Sequence, residues 1–118
     1  MTSFLSRFFG PPLPSLSAKD LFEKTKGSKR PLILDVREAV EYRAGHILGA
    51  KLIPLGELKK KMKELPLDKE IVCVCATGSR SHSATSLLMG NGYKVINLNG
   101  GMNVWERSGF PVKKGTAA

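Results

Sequence analysis

The run Glu70-Ile71-Val72-Cys73-Val74-Cys75, followed by Ala76-Thr77-Gly78-Ser79-Arg80, decides the fold of this chain. Its first part is short and almost entirely apolar, which is typical of a strand buried on both faces in a parallel sheet. Its second part is small and polar, and a helical pattern follows from Arg80 to Met89. The sequence therefore predicts a central strand, a tight loop and a helix in direct succession.

Strands and helices alternate on both sides of this centre. Ser17 is placed to cap a helix that Gly27 ends. Further strands are predicted at Leu32–Val36, Lys51–Ile53 and Val95–Leu98, and further helical segments at Arg37–Ala44, from Pro54 onward and at Met102–Ser108. Such alternation favours an α/β fold with a parallel sheet covered by helices on both faces.

The chain of 118 residues suits one compact domain. We expect that domain to span residues 16–112. A flexible, apolar and proline-rich arm is predicted for residues 1–15, and a frayed tail for 113–118. The hydrophobic content of 42% can supply a core without disulfides or a structural metal.

The chain is strongly basic, with 19 Lys and Arg against 10 Asp and Glu and a formal net charge of +9. This surplus favours anionic ligands. Its densest run is Lys59-Lys60-Lys61, beside apolar residues at helical spacing, which indicates a solvated helix face; a docking face for an acidic partner is the alternative. Nucleic acid is not expected as a partner, because the lysines lack interleaved aromatic residues and a recognition motif.

The chain's ends and cysteines predict a cytoplasmic location. The N-terminal MTSFLSRFFG is interrupted by Arg7 and is too short for a secretory signal, and no run approaches the roughly 20 apolar residues of a membrane span. Cys73 and Cys75 stand two residues apart on one strand, where a disulfide between them is disfavoured, in keeping with a reducing compartment.

The loop after the central strand is the candidate site. Parallel sheets bind ligands beyond the carboxyl ends of their strands, where Cys75 lies. Backbone N–H groups of Ala76, Thr77, Gly78 and Ser79 can curl into an anion cradle, to which the helix start and Arg80 add positive charge. Cysteines in comparable positions have pKa values of roughly 3.5–7.5. Cys75 is therefore predicted to be a nucleophilic thiolate, and the cradle would also hold a persulfide anion on it.

Two other interpretations compete for these cysteines. A cysteine that ends an apolar strand is often only a small buried residue, and this interpretation fits Cys73 better than Cys75. Cys73, Cys75, His46 and His82 could also gather around a metal ion, but the one-residue spacer between the cysteines is not usual for zinc ligands. We therefore expect no metal and no organic cofactor.

An ordered set of motifs over residues 16–112 resembles the rhodanese family. The segment Cys75–Ser81 is similar to the family's active loop. The other matching segments are Leu34-Asp35-Val36-Arg37-Glu38, Glu41-Tyr42, Gly45-His46-Ile47-Leu48-Gly49-Ala50, Leu98-Asn99-Gly100-Gly101-Met102, Trp105 and Gly109-Phe110-Pro111-Val112. Each is weak alone, and their common order and spacing make the resemblance specific.

The resemblance implies a five-stranded parallel sheet and a single-domain sulfurtransferase. Sulfane sulfur would pass from thiosulfate or a persulfide donor, through a persulfide on Cys75, to a thiol, cyanide or a protein. By the same resemblance Arg80 binds the anion. Asp35, Arg37, Glu41 and His46 match positions that are mainly architectural.

Two other functions remain open at the level of sequence. The first is a non-catalytic protein-interaction or sulfur-carrier module on the same fold. The second is a phosphatase or arsenate reductase, but relatives with those activities have five residues between cysteine and arginine. Here four residues separate Cys75 from Arg80, which favours a cradle for one sulfur atom.

Overall fold

Five parallel strands form one sheet in the computed structural model, which describes residues 13–118. The strands are β1 (Ser15–Leu16), β2 (Leu32–Asp35), β3 (Lys51–Leu52), β4 (Ile71–Val74) and β5 (Val95–Leu98). Their order across the sheet is β1-β5-β4-β2-β3, and every neighbouring pair is parallel. The predicted α/β fold is confirmed, and β4 occupies the centre.

The helices of the described region lie close to their predicted positions. They are α1 (Ala18–Lys26), α2 (Ala39–Ala44), α3 (Leu55–Lys61) with a 3-10 turn at Met62–Glu64, α4 (Ser79–Gly90) and α5 (Gly101–Arg107). The Ser17 hydroxyl caps α1 by accepting a hydrogen bond from the Asp20 N–H at 3.0 Å. Across residues 13–118 the longest helix has only 12 residues, and none could cross a membrane.

Two apolar clusters cover the two faces of the sheet, because successive strand residues point to opposite sides. Ile33, Val72 and Leu98 face the layer that holds α1, α2 and α5, where Trp105 is 1% exposed. Leu34 and Ile71 face the other layer, formed by α3 and α4. Cys73 and Cys75 share this second face, so the core also reaches the base of the candidate site.

The lysine-bearing helix α3 has the solvated face that the sequence predicts. Leu58 is fully buried against the sheet, whereas Lys59 and Lys60 are exposed. Lys61 forms an ion pair with Glu57 at 2.8 Å on the same helix.

Both ends of the described chain pack more closely than predicted. Ser15 and Leu16 form the edge strand β1 beside β5, whereas the sequence assigns Ser15 to a flexible arm; residues 1–12 of that arm lie outside the described residues. The segment 113–118, predicted to be frayed, runs along α2 instead. There the Gly115 N–H donates to the Arg43 carbonyl at 2.9 Å, and the Ala117 carbonyl lies 2.8 Å from His46 Nε2.

A buried ion pair fixes the end of β2 next to the candidate site. Arg37 donates to both carboxylate oxygens of Asp35, at 2.8 Å from Nη2 and 3.0 Å from Nε. Nη2 also donates to the Gly45 carbonyl at 2.8 Å, so the guanidinium joins β2 to the end of α2. The two side chains are 1% and 7% exposed, and each depends on the other for compensation of its buried charge.

Replacement of Arg37 by lysine is expected to lower the free energy of unfolding by about 2 kcal/mol. A lysine keeps the charge but cannot reproduce the planar fork that bridges Asp35 and Gly45. Urea unfolding should show this loss, whereas Arg107→Lys at an exposed position should change the free energy by less than about 0.5 kcal/mol. Equal unfolding midpoints for the two variants would contradict the assigned role of the pair.

Candidate functional site

The loop between β4 and α4 lies at the carboxyl edge of the sheet, at its centre. The loops after β2 and β5 flank it, because these strands are the two neighbours of β4. The Val36 N–H donates to the Val74 carbonyl at 3.0 Å, which brings the end of β2 directly against Cys75. The topology therefore gathers three loops around one thiol.

The thiol of Cys75 lies inside its own loop. Its Sγ accepts a hydrogen bond from the Gly78 N–H at 3.1 Å and another from the Ser81 hydroxyl at 3.4 Å. The residue is only 1% exposed. The sulfur thus borders the second core cluster and two hydrogen-bond donors.

These donors stabilise the ionised form of Cys75. Burial of the thiol is the largest single influence on its pKa and opposes ionisation, whereas the hydrogen bond from the Ser81 hydroxyl is the strongest influence that favours ionisation. The backbone N–H groups of Ser81, Gly78 and Thr77 act in the same direction. Together they hold the pKa of Cys75 below its ordinary value of 9.0. The thiolate, which is the nucleophilic form, therefore persists to lower pH than in a free cysteine.

Gly78 gives the loop its shape through its backbone conformation. It precedes α4 with φ +107°, a region that residues with a Cβ rarely adopt. A Cβ would meet its nearest atom, the Gly100 nitrogen, at an ordinary 3.5 Å, so the dihedral angle and not the space requires glycine here.

The start of α5 turns the loop's carbonyl groups outward. The Met102 N–H donates to the Cys75 carbonyl at 2.8 Å, and the Asn103 N–H donates to the Ala76 carbonyl at 3.0 Å. These are N–H groups of the first helical turn, which have no partner within their own helix. With its carbonyls held by α5, the loop is free to direct its N–H groups toward Sγ.

Asn97 of β5 contacts the loop from the side of the second core cluster. Its Nδ2 lies 3.5 Å from the Gly78 carbonyl, which also accepts from the His82 N–H at 3.0 Å. Its Oδ1 is buried and has no hydrogen-bond partner among the described residues. The Gly78 carbonyl at the start of α4 therefore has two donors, one from β5 and one from α4.

Arg80 forms a two-pronged ion pair with Glu41 of α2. Nη1 and Nη2 donate to the two carboxylate oxygens at 2.7 and 2.8 Å. Hydrogen bonds from Arg80 lower the pKa of Glu41 to about 2, and those same bonds raise the pKa of Arg80. The pair is ionised at all physiological pH values and ties the active loop to α2.

The structure brings the predicted site residues together and adds the contacts of Ser81 and Glu41 to them. Thr77 and Ser79 are exposed, and the hydroxyl that reaches Sγ belongs to Ser81, in the first turn of α4. Glu41, which the resemblance marks as architectural, forms an ion pair with the guanidinium of Arg80. Sequence spacing gives no direct signal for either contact, although Ser81 lies within the motif that resembles the family's loop.

The four residues considered as metal ligands do not form a site. His46 is buried with its two ring nitrogens 2.8 Å from the Tyr42 and Ala117 carbonyls, and His82 is exposed on α4. Burial raises the pKa of Cys73 to about 12, so this thiol stays protonated. Among residues 13–118, no three His, Cys, Asp or Glu side chains are grouped to hold a metal ion.

Replacement of Ser81 by alanine is expected to raise the pKa of Cys75, because the strongest of the stabilising hydrogen bonds is lost. The rate of Cys75 alkylation by iodoacetamide at pH 6 should fall about two- to tenfold and recover as the pH rises. Ser83→Ala, which removes an exposed hydroxyl from the same helix, is the matched control. An alkylation profile identical to that of the unmodified chain would show that the Ser81 hydroxyl does not act on the sulfur.

Comparison with known proteins agrees with this architecture. The family model for the rhodanese-like domain matches residues 17–108. A sulfurtransferase of Allochromatium vinosum is 33% identical over 82% of this chain and 92% of its own length. A putative sulfur carrier protein of Bacillus subtilis, YrkF, is 39% identical over 79% of this chain, which spans 51% of that relative.

The solved structures include a rhodanese-related protein from Thermoplasma volcanium, which is 37% identical and superimposes with a TM-score of 0.80. That match covers 85% of this chain and 97% of the other. Motif order, sheet topology, loop geometry and the family model all agree. The chain belongs to the rhodanese-like domain family.

Proposed function

We propose that this protein is a sulfurtransferase that carries sulfane sulfur as a persulfide on Cys75. One observation carries the proposal. The Cys75 sulfur is surrounded by a hydroxyl and by backbone N–H groups that favour its ionised form. A side chain with only a packing role would need no such donors, whereas a nucleophile that becomes a persulfide anion needs them in both states.

The first step forms one S–S bond and breaks another. The Cys75 thiolate attacks the outer sulfur of a donor, either thiosulfate or a persulfide. The bond between that sulfur and the rest of the donor breaks, and its electron pair leaves with sulfite or with a thiolate. The product is Cys75–S–S⁻, with its negative charge beside the N–H groups of Thr77, Gly78 and Ser81.

The second step returns the enzyme to its starting state. A thiol, a protein thiol or cyanide attacks the terminal sulfur, and Cys75 leaves as a thiolate. The lowered pKa of Cys75 makes it a better leaving group as well as a nucleophile that is ionised near neutral pH. These steps need no metal or organic cofactor. They do need a thiol that stays reduced, which suits the cytoplasm.

Intact mass spectrometry tests this proposal directly. Incubation with excess thiosulfate or a low-molecular-weight persulfide should add the mass of one sulfur atom, and cyanide should remove it as thiocyanate. Added mass that persists in cyanide, or no added mass with either donor, would contradict the proposal.

A sulfur carrier is the second candidate, favoured by the relative YrkF, which is named a putative sulfur carrier protein. A carrier would accept one sulfur atom on Cys75 but would not turn over with small acceptors. Thiocyanate formation over many cycles would favour the sulfurtransferase, and one equivalent without further turnover would favour the carrier.

A further inference from the structure

The positive charge that Arg80 brings to the Cys75 loop is already neutralised. Arg80 gives two N–H groups to Glu41 at 2.7 and 2.8 Å, the planar arrangement in which a guanidinium binds one carboxylate most strongly. An oxyanion that is to use this face of Arg80 must displace Glu41. The side chains are 36% and 31% exposed, so the pair lies at the entrance and not in the core.

The other charges at this edge do not restore a positive field. Arg37 forms a salt bridge with Asp35, and the Glu38 carboxylate lies close enough to Arg80 to interact with its charge. Around the thiol there are therefore three carboxylates and two guanidiniums, even without the charge of the thiolate. The carboxylates belong to Asp35, Glu38 and Glu41, and the guanidiniums to Arg37 and Arg80. The segment from Cys75 to Ser81 contains no lysine. Although the chain carries a net charge of +9, these five side chains together carry one negative charge.

We propose that Glu41 determines donor specificity by neutralising Arg80, and that the site prefers donors whose leaving group carries a single negative charge. Organic persulfides and thiosulfonates, which release a thiolate or a sulfinate, belong to this class. Thiosulfate carries two negative charges and releases sulfite, also doubly charged, so it gains least from an entrance without net positive charge. This inference rests on the proposed sulfurtransferase function.

A pair of donors that differ in one charge isolates the effect. Methanethiosulfonate has a methyl group where thiosulfate has a charged oxygen. With it, the Cys75 thiolate takes the outer sulfur and methanesulfinate leaves with the electron pair of the broken S–S bond. Values of kcat/KM for both donors, with cyanide as acceptor, give a specificity ratio that is insensitive to a general loss of active protein.

Glu41→Gln should raise the ratio of thiosulfate to methanethiosulfonate by roughly tenfold, because it frees the Arg80 guanidinium while keeping a similar side-chain shape. Arg80→Gln should lower the ratio further below that of the unmodified chain. Glu70→Gln is the matched control. It removes the same charge from the exposed pair with Lys24 next to the first residue of β4, at the opposite end of that strand from Cys75.

The outcomes separate the two proposals. Preference for methanethiosulfonate in the unmodified chain, together with a shift in Glu41→Gln but not in Glu70→Gln, supports the role of Glu41. If kcat/KM of Glu41→Gln fell equally for both donors, so that their ratio stayed unchanged, Glu41 would only support the structure of the loop. That result would overturn the proposed role of Glu41. If neither donor places sulfur on Cys75 of the unmodified chain, the sulfurtransferase function fails, and the donor assignment fails with it.

Discussion

Replacement of Cys75 by serine is expected to reduce sulfur transfer at least about 1,000-fold, to the background rate. Oxygen cannot form the persulfide, and a hydroxyl ionises far less readily than a thiol. The substitution removes little else, because the Gly78 N–H and the Ser81 hydroxyl can still donate to the smaller oxygen. Thiocyanate release and the mass of the protein after donor treatment would both measure the loss.

Cys73 provides the internal control for this experiment. It lies two residues earlier on the same face of the sheet, is fully buried, and has its pKa raised to about 12 by that burial. Cys73→Ala should therefore keep transfer within about twofold, while losing about 1 kcal/mol of stability through the lost packing. Sulfur uptake that survives in Cys75→Ser, or that disappears in Cys73→Ala, would indicate that Cys73 and not Cys75 accepts the sulfur. Either result would contradict the proposal.

Local patterns were sufficient to predict most of the fold. The strand Val95–Leu98 is found at its predicted limits, and α1 begins after Ser17 and ends before Gly27 as predicted. In contrast, β1 has only two residues and exists because Ser15 and Leu16 pair with Asn97 and Leu98. A two-residue strand has no periodicity of its own, so its position depends on a partner more than 80 residues away.

The candidate site likewise has one part that local sequence predicts and another that depends on distant residues. A thiol, a glycine and an arginine within six residues suffice to predict an anion cradle, because the chemistry of that loop is local. The Arg80–Glu41 pair joins residues 39 positions apart, and nothing in either segment shows that the two charges meet. The sequence therefore predicts the nucleophile that we propose, but not the carboxylate that neutralises the charge of Arg80.

Gly101 must lack a Cβ, whereas the sequence predicts only a turn at this position. Its replacement by alanine is the second substitution for which we expect a large effect. The backbone there has φ +55°, and a Cβ would lie 2.2 Å from the Cys75 carbonyl oxygen and 2.7 Å from that of Ala76. These are the oxygens that accept from Met102 and Asn103 at the start of α5. We expect a loss of about 3–5 kcal/mol in the free energy of unfolding.

The same substitution should also disturb the thiol. The loop can relieve the overlap only by moving its carbonyls away from α5, which turns the N–H groups away from Sγ and raises the pKa of Cys75. Iodoacetamide alkylation near pH 7 should slow accordingly, and urea unfolding should give the stability loss.

Gly92→Ala separates crowding from backbone strain, because Gly92 has a similar positive φ of +88° but no atom within 4 Å of the added Cβ. It should cost only about 1–2 kcal/mol and leave alkylation unchanged. If Gly101→Ala were no more destabilising than Gly92→Ala and kept the alkylation rate, close contact between α5 and the loop carbonyls would not be what shapes the cradle. The predicted difference exists because the Cβ of residue 101 would meet two backbone oxygens, which cannot move without also moving Cys75.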